Sequence, residues 1–185
     1  MPIQIRPAGL PDVLIIEPQV FADHRGFFME TFHRKKYAEA GLDVVFVQDN
    51  HSRSRRNTLR GLHYQLAHPQ GKLVWAAAGE IYDVAVDIRR NSATFGKWIG
   101  VHLSETNHSQ LYIPPGFAHG FCVLSETADL MYKCTDFYHP EDDWGILWND
   151  PQIGILWPVA DPVLSPKDST LPRLSEVAPD KLMQV

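Results

Sequence analysis

The stretch Leu73-Val74-Trp75-Ala76-Ala77-Ala78-Gly79-Glu80-Ile81-Tyr82-Asp83-Val84-Ala85-Val86-Asp87-Ile88 decides the fold class. Two apolar runs flank a single glycine, and neither shows the three-to-four-residue spacing of an amphipathic helix. The stretch reads as a β-hairpin, Leu73 to Ala78 and Ile81 to Ile88, turning at Gly79. In the second arm Asp83, Ala85 and Asp87 share one face, while Tyr82, Val84, Val86 and Ile88 share the other, because side chains alternate along a strand. Outward from this pair, Val13 to Glu17, Phe27 to Phe32, Val44 to Gln48, Trp98 to Leu103, Gln110 to Ile113, Gly120 to Leu124 and Asp129 to Thr135 also read as strands, punctuated by glycine and proline. One short helix is predicted, His33 to Ala40, closed by Gly41. Strands at this density predict a mainly β domain, an antiparallel sandwich or barrel with few short helices. From about Pro158 the alternation fades and proline becomes frequent, which predicts an irregular tail wrapped over the barrel. Lys167-Asp168 lies in that tail, within reach of a site.

The length of 185 residues fits one domain spanning 1–185. Hydrophobic residues at 44% and charged residues at 21% are ordinary for a globular protein. A net charge of -5 gives nucleic-acid binding no global support, and Arg53-Ser54-Arg55-Arg56 reads as a solvated basic loop. No apolar run is long enough to span a bilayer, and Met1 to Arg6 lacks the apolar core of a signal peptide. Cys122 and Cys134 each sit in an apolar run and read as buried free thiols of a reducing compartment. The expectation is a cytoplasmic protein with neither a membrane nor a nucleic acid as partner.

Chemistry concentrates in a few places. Leu59-Arg60-Gly61-Leu62-His63-Tyr64-Gln65 puts a histidine in a strand, where it is either a structural histidine or an inward-facing base. Arg60 and His63 face opposite ways in a regular strand, so sharing one site requires a bulge or an Arg60 ahead of the strand. Pro114-Pro115-Gly116-Phe117-Ala118-His119 makes a turn that delivers His119 inward, and its spacing resembles the second motif of cupin barrels. In metal cupins such a histidine joins an H-x-H pair and a carboxylate; here Gln65 stands where the second histidine belongs. Two histidines and a glutamine make a poor first-row metal site, so no metal is expected. His102, His108 and His139 show no ligand spacing. Lys72 is a strand-end lysine or a cation placed for an oxyanion. Tyr132 and Tyr138 are core or rim aromatics, although a phenol also suits the return of a proton to a carbanion. The turn Asp23-His24-Arg25-Gly26-Phe27 and the run Gln48-Asp49-Asn50, with Arg60 beyond it, offer guanidinium forks for phosphate and rings for a base.

In order and spacing these motifs resemble the dTDP-4-dehydrorhamnose 3,5-epimerase family over almost the whole chain: Asp23 to Gly26, Gln48 to Ser52, Arg60 to His63, Tyr82 to Asp87, Pro115 to Phe121 and Lys167-Asp168. The resemblance implies a homodimeric cupin-like jelly roll that acts on a dTDP-linked 4-keto-6-deoxyglucose without cofactor. It further implies His63 as base with Asp168 behind it, Tyr132 as acid on the opposite face of the sugar, and Lys72 at the enolate oxygen. Arg25, Glu30, Gln48, Asp49, Asn50, Arg60, His119, Asp143 and Lys167 would hold the nucleotide and sugar, with Phe27 and Tyr138 lining the pocket. A ketone at C4 acidifies the protons at C3 and C5, so neither metal nor nicotinamide is required. Three positions depart from the pattern. Asp143 stands where a glutamate is common, Trp75-Ala76-Ala77 replaces a more polar strand, and Arg56-Asn57-Thr58 differs from the usual small-residue turn. These leave room for an altered sugar preference.

Three other readings compete. A single-site epimerase or ketoisomerase on a dTDP-keto sugar would keep much the same residues. A metal-dependent cupin oxygenase is opposed by Gln65. A sugar-nucleotide binding module would not need His63, Tyr132, Lys72 and Asp168 together.

Overall fold

The computed structural model describes residues 3–184. Its strands are β1 (Gln4–Pro7), β2 (Leu14–Glu17), β3 (Val20–Asp23), β4 (Gly26–Met29), β5 (Gln48–Arg55), β6 (Leu59–Tyr64), β7 (Lys72–Ala78), β8 (Glu80–Asp87), β9 (Trp98–Ser104), β10 (Gln110–Ile113), β11 (Phe117–Val123), β12 (Thr127–Cys134) and β13 (Trp144–Gly145), with one α-helix, α1 (Arg34–Glu39). Six strands form one sheet in the order β1-β2-β10-β7-β12-β5, and five form a second in the order β13-β6-β11-β8-β9. The two face each other as an antiparallel jelly roll of the cupin-like type expected. A separate ribbon, β3-β4, stands outside both.

The stretch from Leu73 to Ile88 is two strands but not a hairpin. β7 pairs with β10 and β12 in the first sheet, whereas β8 pairs with β9 and β11 in the second. Gly79 is where the chain changes sheets. Its φ is +74°, and a Cβ there would lie 2.2 Å from the Thr127 carbonyl oxygen, so only glycine fits the corner. Two further expectations shift. Only Gln48 of the run Val44 to Gln48 joins a strand, and the basic run Arg53 to Arg55 is the end of β5, where Arg53 clamps the Asp129 carboxylate.

Period-two alternation sorts the apolar side chains into three layers. Val74, Ala76, Leu111, Ile113 and Leu130 of the first sheet meet Ile81, Ala85, Phe117, Phe121 and Val123 of the second inside the barrel. Val84, Val86, Ile88 and Ala118, on the outer face of the second sheet, are covered by Ile146 and Ile153 and by Leu174 and Leu182 of the tail, so the tail packs over the barrel as expected. On the outer face of the first sheet Ile16, Leu73, Trp75 and Tyr112 pack against Tyr37 of α1 and Leu42. Of the stretch Trp75-Ala76, Trp75 thus faces away from the interior and Ala76 faces it. His33 caps α1 by accepting the Lys36 N–H, and Gly41 at φ +108° ends it, as read.

Candidate active site

The inner faces of β5, β6, β7, β11 and β12 are polar at one end, and there the barrel opens into two cavities of about 260 and 290 Å³ that share His63, Lys72, Tyr132 and Asp143. Gln48, Asn50, Cys134 and Tyr138 line the first; Ser52, Arg60, His119, Lys167 and Asp168 line the second. Alternation explains the inward set: 48, 50 and 52 along β5, 72, 74 and 76 along β7, 130, 132 and 134 along β12.

Arg60 and His63 reach one cavity because β6 is bulged. His63 pairs with His119 and Arg60 with Phe121, so two residues on β6, Gly61 and Leu62, stand against one on β11, Gly120. Gly61 makes this possible. Its φ is +122°, and a Cβ there would sit 2.5 Å from the Cα of Gly120.

His63 Nε2 lies 2.6 Å from Asp168 Oδ1. Asp168 is buried in the first turn of the short helix Asp168–Thr170, and its own N–H is held by Ser165 Oγ at 3.0 Å. Burial works to raise its carboxyl, but the His63 ring, Ser165 and the Gly61 N–H outweigh it and hold the group below the usual carboxylate range. With Nε2 on the carboxylate, Nδ1 is the ring nitrogen left for chemistry.

Tyr132 and Lys72 come from the six-stranded sheet, across the cavity from His63 on the five-stranded one. Burial pushes the Tyr132 phenol up, so it holds its proton at neutral pH. Burial pushes Lys72 below the ordinary lysine value. Lys133 and Lys167 are paired with Asp49 and Asp143, whereas Lys72 makes no ion pair among the described residues. Asp143 also accepts the Tyr138 hydroxyl at 2.9 Å, and the Tyr138 N–H donates to Gln48 Oε1 at 2.9 Å. Gln48 in turn donates to Asn50 at 3.1 Å, and Arg60 Nε donates to Ser54 Oγ at 3.1 Å. His119 lines the same cavity, with Nε2 against the fully buried Asp83 at 2.9 and 3.0 Å.

Several expected site residues lie elsewhere. Asp49 points to the opposite face of β5 from Gln48 and Asn50, where it binds Lys133 at 2.8 Å, because a strand sends neighbours to opposite sides. Arg25 and Phe27 sit on the β3-β4 ribbon, both exposed, Arg25 paired with Asp23. Glu30, just past that ribbon, is paired with Lys36 of α1. None of these three lines the cavity of its own chain.

Other residues escaped the sequence reading. The one buried side-chain polar atom without a partner, among the described residues, is Ser52 Oγ, and Ser52 lines the cavity. Its signal was the alternation from Gln48 and Asn50. Gln65 is buried, and its amide is consumed by the backbone of His68, Phe137 and His139, which ties two loops at the rim. Among the described residues no three His, Cys, Asp or Glu side chains converge as metal ligands. Cys122 and Cys134 are free and buried, as expected.

The chain is similar to known proteins over most of its length. A dTDP-4-dehydrorhamnose 3,5-epimerase of Shigella flexneri is 60% identical over 161 residues, covering 86% of this chain and 89% of the relative. A dTDP-4-dehydrorhamnose 3-epimerase of Streptomyces niveus is 37% identical, covering 94% of this chain and 85% of the relative. The crystal structure of a dTDP-6-deoxy-D-glucose-3,5-epimerase from Legionella pneumophila, in complex with dTDP-4-keto-L-rhamnose, superposes with a TM-score of 0.96 at 51% identity, covering 99% of this chain and 98% of that one. The family model for dTDP-4-dehydrorhamnose 3,5-epimerases matches residues 7–176, and the chain belongs to that family.

Proposed function

We propose that the protein inverts both C3 and C5 of dTDP-4-dehydro-6-deoxy-D-glucose to give dTDP-4-dehydro-L-rhamnose, a step in dTDP-L-rhamnose biosynthesis. His63 Nδ1 removes the proton next to the C4 ketone, with Asp168 orienting the ring and supporting the imidazolium. The electron pair moves into an enolate whose oxygen meets the Lys72 ammonium. Tyr132 returns a proton to the other face of the carbon, which inverts it. The observation that carries this reading is the placement of His63 and Asp168 on one wall of a single cavity and Tyr132 and Lys72 on the other. Gln48, Asn50, Arg60, His119, Tyr138, Asp143 and Lys167 hold the sugar nucleotide. The protein works in the cytoplasm; no helix among the described residues is long and apolar enough to cross a membrane.

The same reading makes the protein a homodimer. Arg25, Phe27 and Glu30 are suited to a nucleotide yet lie outside their own cavity, on a ribbon that exposes Phe21, Phe27 and Phe28. Such a patch on a projecting ribbon fits a second copy, whose cavity the three residues then complete.

The test is incubation with dTDP-4-keto-6-deoxyglucose in heavy water followed by NMR. Deuterium at C3 and C5 is expected; His63→Ala abolishes it, and Tyr132→Phe keeps exchange but loses inversion. Deuterium at C3 alone selects a single-site epimerase, the activity named for the Streptomyces niveus relative. Exchange at neither carbon sinks the epimerase reading.

A further inference from the structure

His63–Asp168 is one of two histidine–carboxylate pairs at the cavity. The second, His119–Asp83, is more deeply buried: Asp83 is inaccessible and His119 is 7% exposed. His119 is the register partner of His63 on the neighbouring strand, so the two imidazoles stand side by side on one wall. Asp83 projects from β8 to the same face as Ala85, and both its oxygens lie within 3.0 Å of His119 Nε2. Among the described residues it has no other side-chain hydrogen-bond partner. Removing a carboxylate from water for a single imidazole is costly, so stability alone gives little reason for the pair.

We propose that Asp83 is a positioning residue: it commits Nε2 of His119 and thereby makes Nδ1 the atom offered to the bound sugar nucleotide. The physics is that of tautomer choice. A carboxylate only accepts, so the nitrogen facing it carries a proton, and the neutral ring keeps its lone pair on the other nitrogen. His119 then recognises a donor of the substrate, such as a sugar hydroxyl beside the reacting carbons. This rests on the epimerase reading of the cavity. It assigns the two pairs different work: Asp168 acts on the rate of proton transfer, Asp83 on recognition.

The experiment compares Asp83→Asn in the natural background and in His119→Ala. An amide can donate to Nε2 and so reverse the tautomer. With His119 present, Asp83→Asn is expected to raise KM about tenfold, the loss of one well-made hydrogen bond. Deuterium exchange at saturating substrate should change less than about threefold, and the KM effect should vanish in the His119→Ala background. An equal KM effect in both backgrounds overturns the proposal, since Asp83 would then act through Lys72, whose ammonium also feels its charge. A lowered Tm with unchanged KM overturns it too, as a purely structural role. Long-range proton–nitrogen correlation spectra of the unliganded protein supply a readout free of substrate. The neutral His119 ring is expected protonated at Nε2, with the pattern reversed in Asp83→Asn; a proton on Nδ1 of the unaltered protein refutes the assignment. A protein with this tautomer and no deuterium exchange at all would instead sink the epimerase reading alone.

Discussion

Replacing Asp168 by asparagine tests the base directly. The change removes one charge and almost no volume, at a side chain that is buried and 2.6 Å from His63 Nε2. A charge-assisted hydrogen bond of this kind contributes about 1.5–3 kcal/mol, which the amide surrenders when the imidazole becomes a cation in the transition state. At 1.36 kcal/mol per decade this is about a 10- to 160-fold loss in proton abstraction. The amide makes matters worse if it donates to Nε2, because Nδ1 then carries the proton and cannot serve as base. About a hundredfold is thus expected, in deuterium wash-in at C3 and C5 alike, with KM nearly unchanged. Stability should move less. The Asp168 carboxyl is held below its usual range, so its contribution is fully present above about pH 4 and is lost as pH falls through the folded value. At neutral pH the variant forfeits that contribution but is relieved of a buried charge. An exchange rate within about threefold of the parent, with Tm retained, would refute the dyad, since a loss of about 0.65 kcal/mol or less is too small for a charge-assisted bond.

Two further outcomes follow from the cavity. Ser52→Ala removes a buried hydroxyl that has no partner, so the free protein should keep or slightly raise its Tm while KM rises about threefold to tenfold; an unchanged KM would mean that substrate leaves the hydroxyl unsatisfied. Arg25→Ala should raise KM although Arg25 lies outside its own cavity, and mixing it with His63→Ala protomers should restore activity, because one of the two sites in the mixed dimer is intact; no restoration after subunit exchange is shown would refute the shared site.

Much of this site was visible as alternation. Once β7 and β12 are strands, Lys72 must face with Val74 and Tyr132 with Leu130, and both pairs do. The bulge was visible as a requirement: two residues three apart can serve one cavity only if the strand is interrupted, and Gly61 supplies the interruption. Partner choice was not visible. A lone glycine between two apolar runs suits a hairpin and a crossing between sheets equally, and the decision rests with β10, β11 and β12, more than twenty residues away. Within Gln48-Asp49-Asn50 a strand sends the middle residue outward, which separates Asp49 from its neighbours, and the same rule carried two residues further brings Ser52 to the cavity. Arg25, Phe27 and Glu30 carry no local signal of where they go, since a ribbon's destination depends on the surface that receives it.

The number of carbons inverted is a question about Lys72. C3 and C5 flank C4 symmetrically, and His63 is proposed as the base for both. If the ammonium anchors the C4 oxygen, either neighbouring carbon can present its proton to His63 while the oxyanion contact is kept, and one catalytic set serves both. Lys72→Met should therefore slow deuterium exchange at C3 and C5 by the same factor, about 100- to 1000-fold for an oxyanion donor. The pH profile carries the same information. Burial lowers the Lys72 value, so its proton is lost at a lower pH than that of a free lysine, and both exchange rates should fall together as pH rises through it. Tyr132 is displaced the other way, which keeps its own deprotonation from mimicking that fall. Lys72→Arg replaces the titrating cation by one that keeps its proton, so the alkaline fall should disappear. A fall that persists in the arginine variant, or a methionine variant that loses exchange at one carbon only, would show that the C4 oxygen is not held by this lysine during both steps.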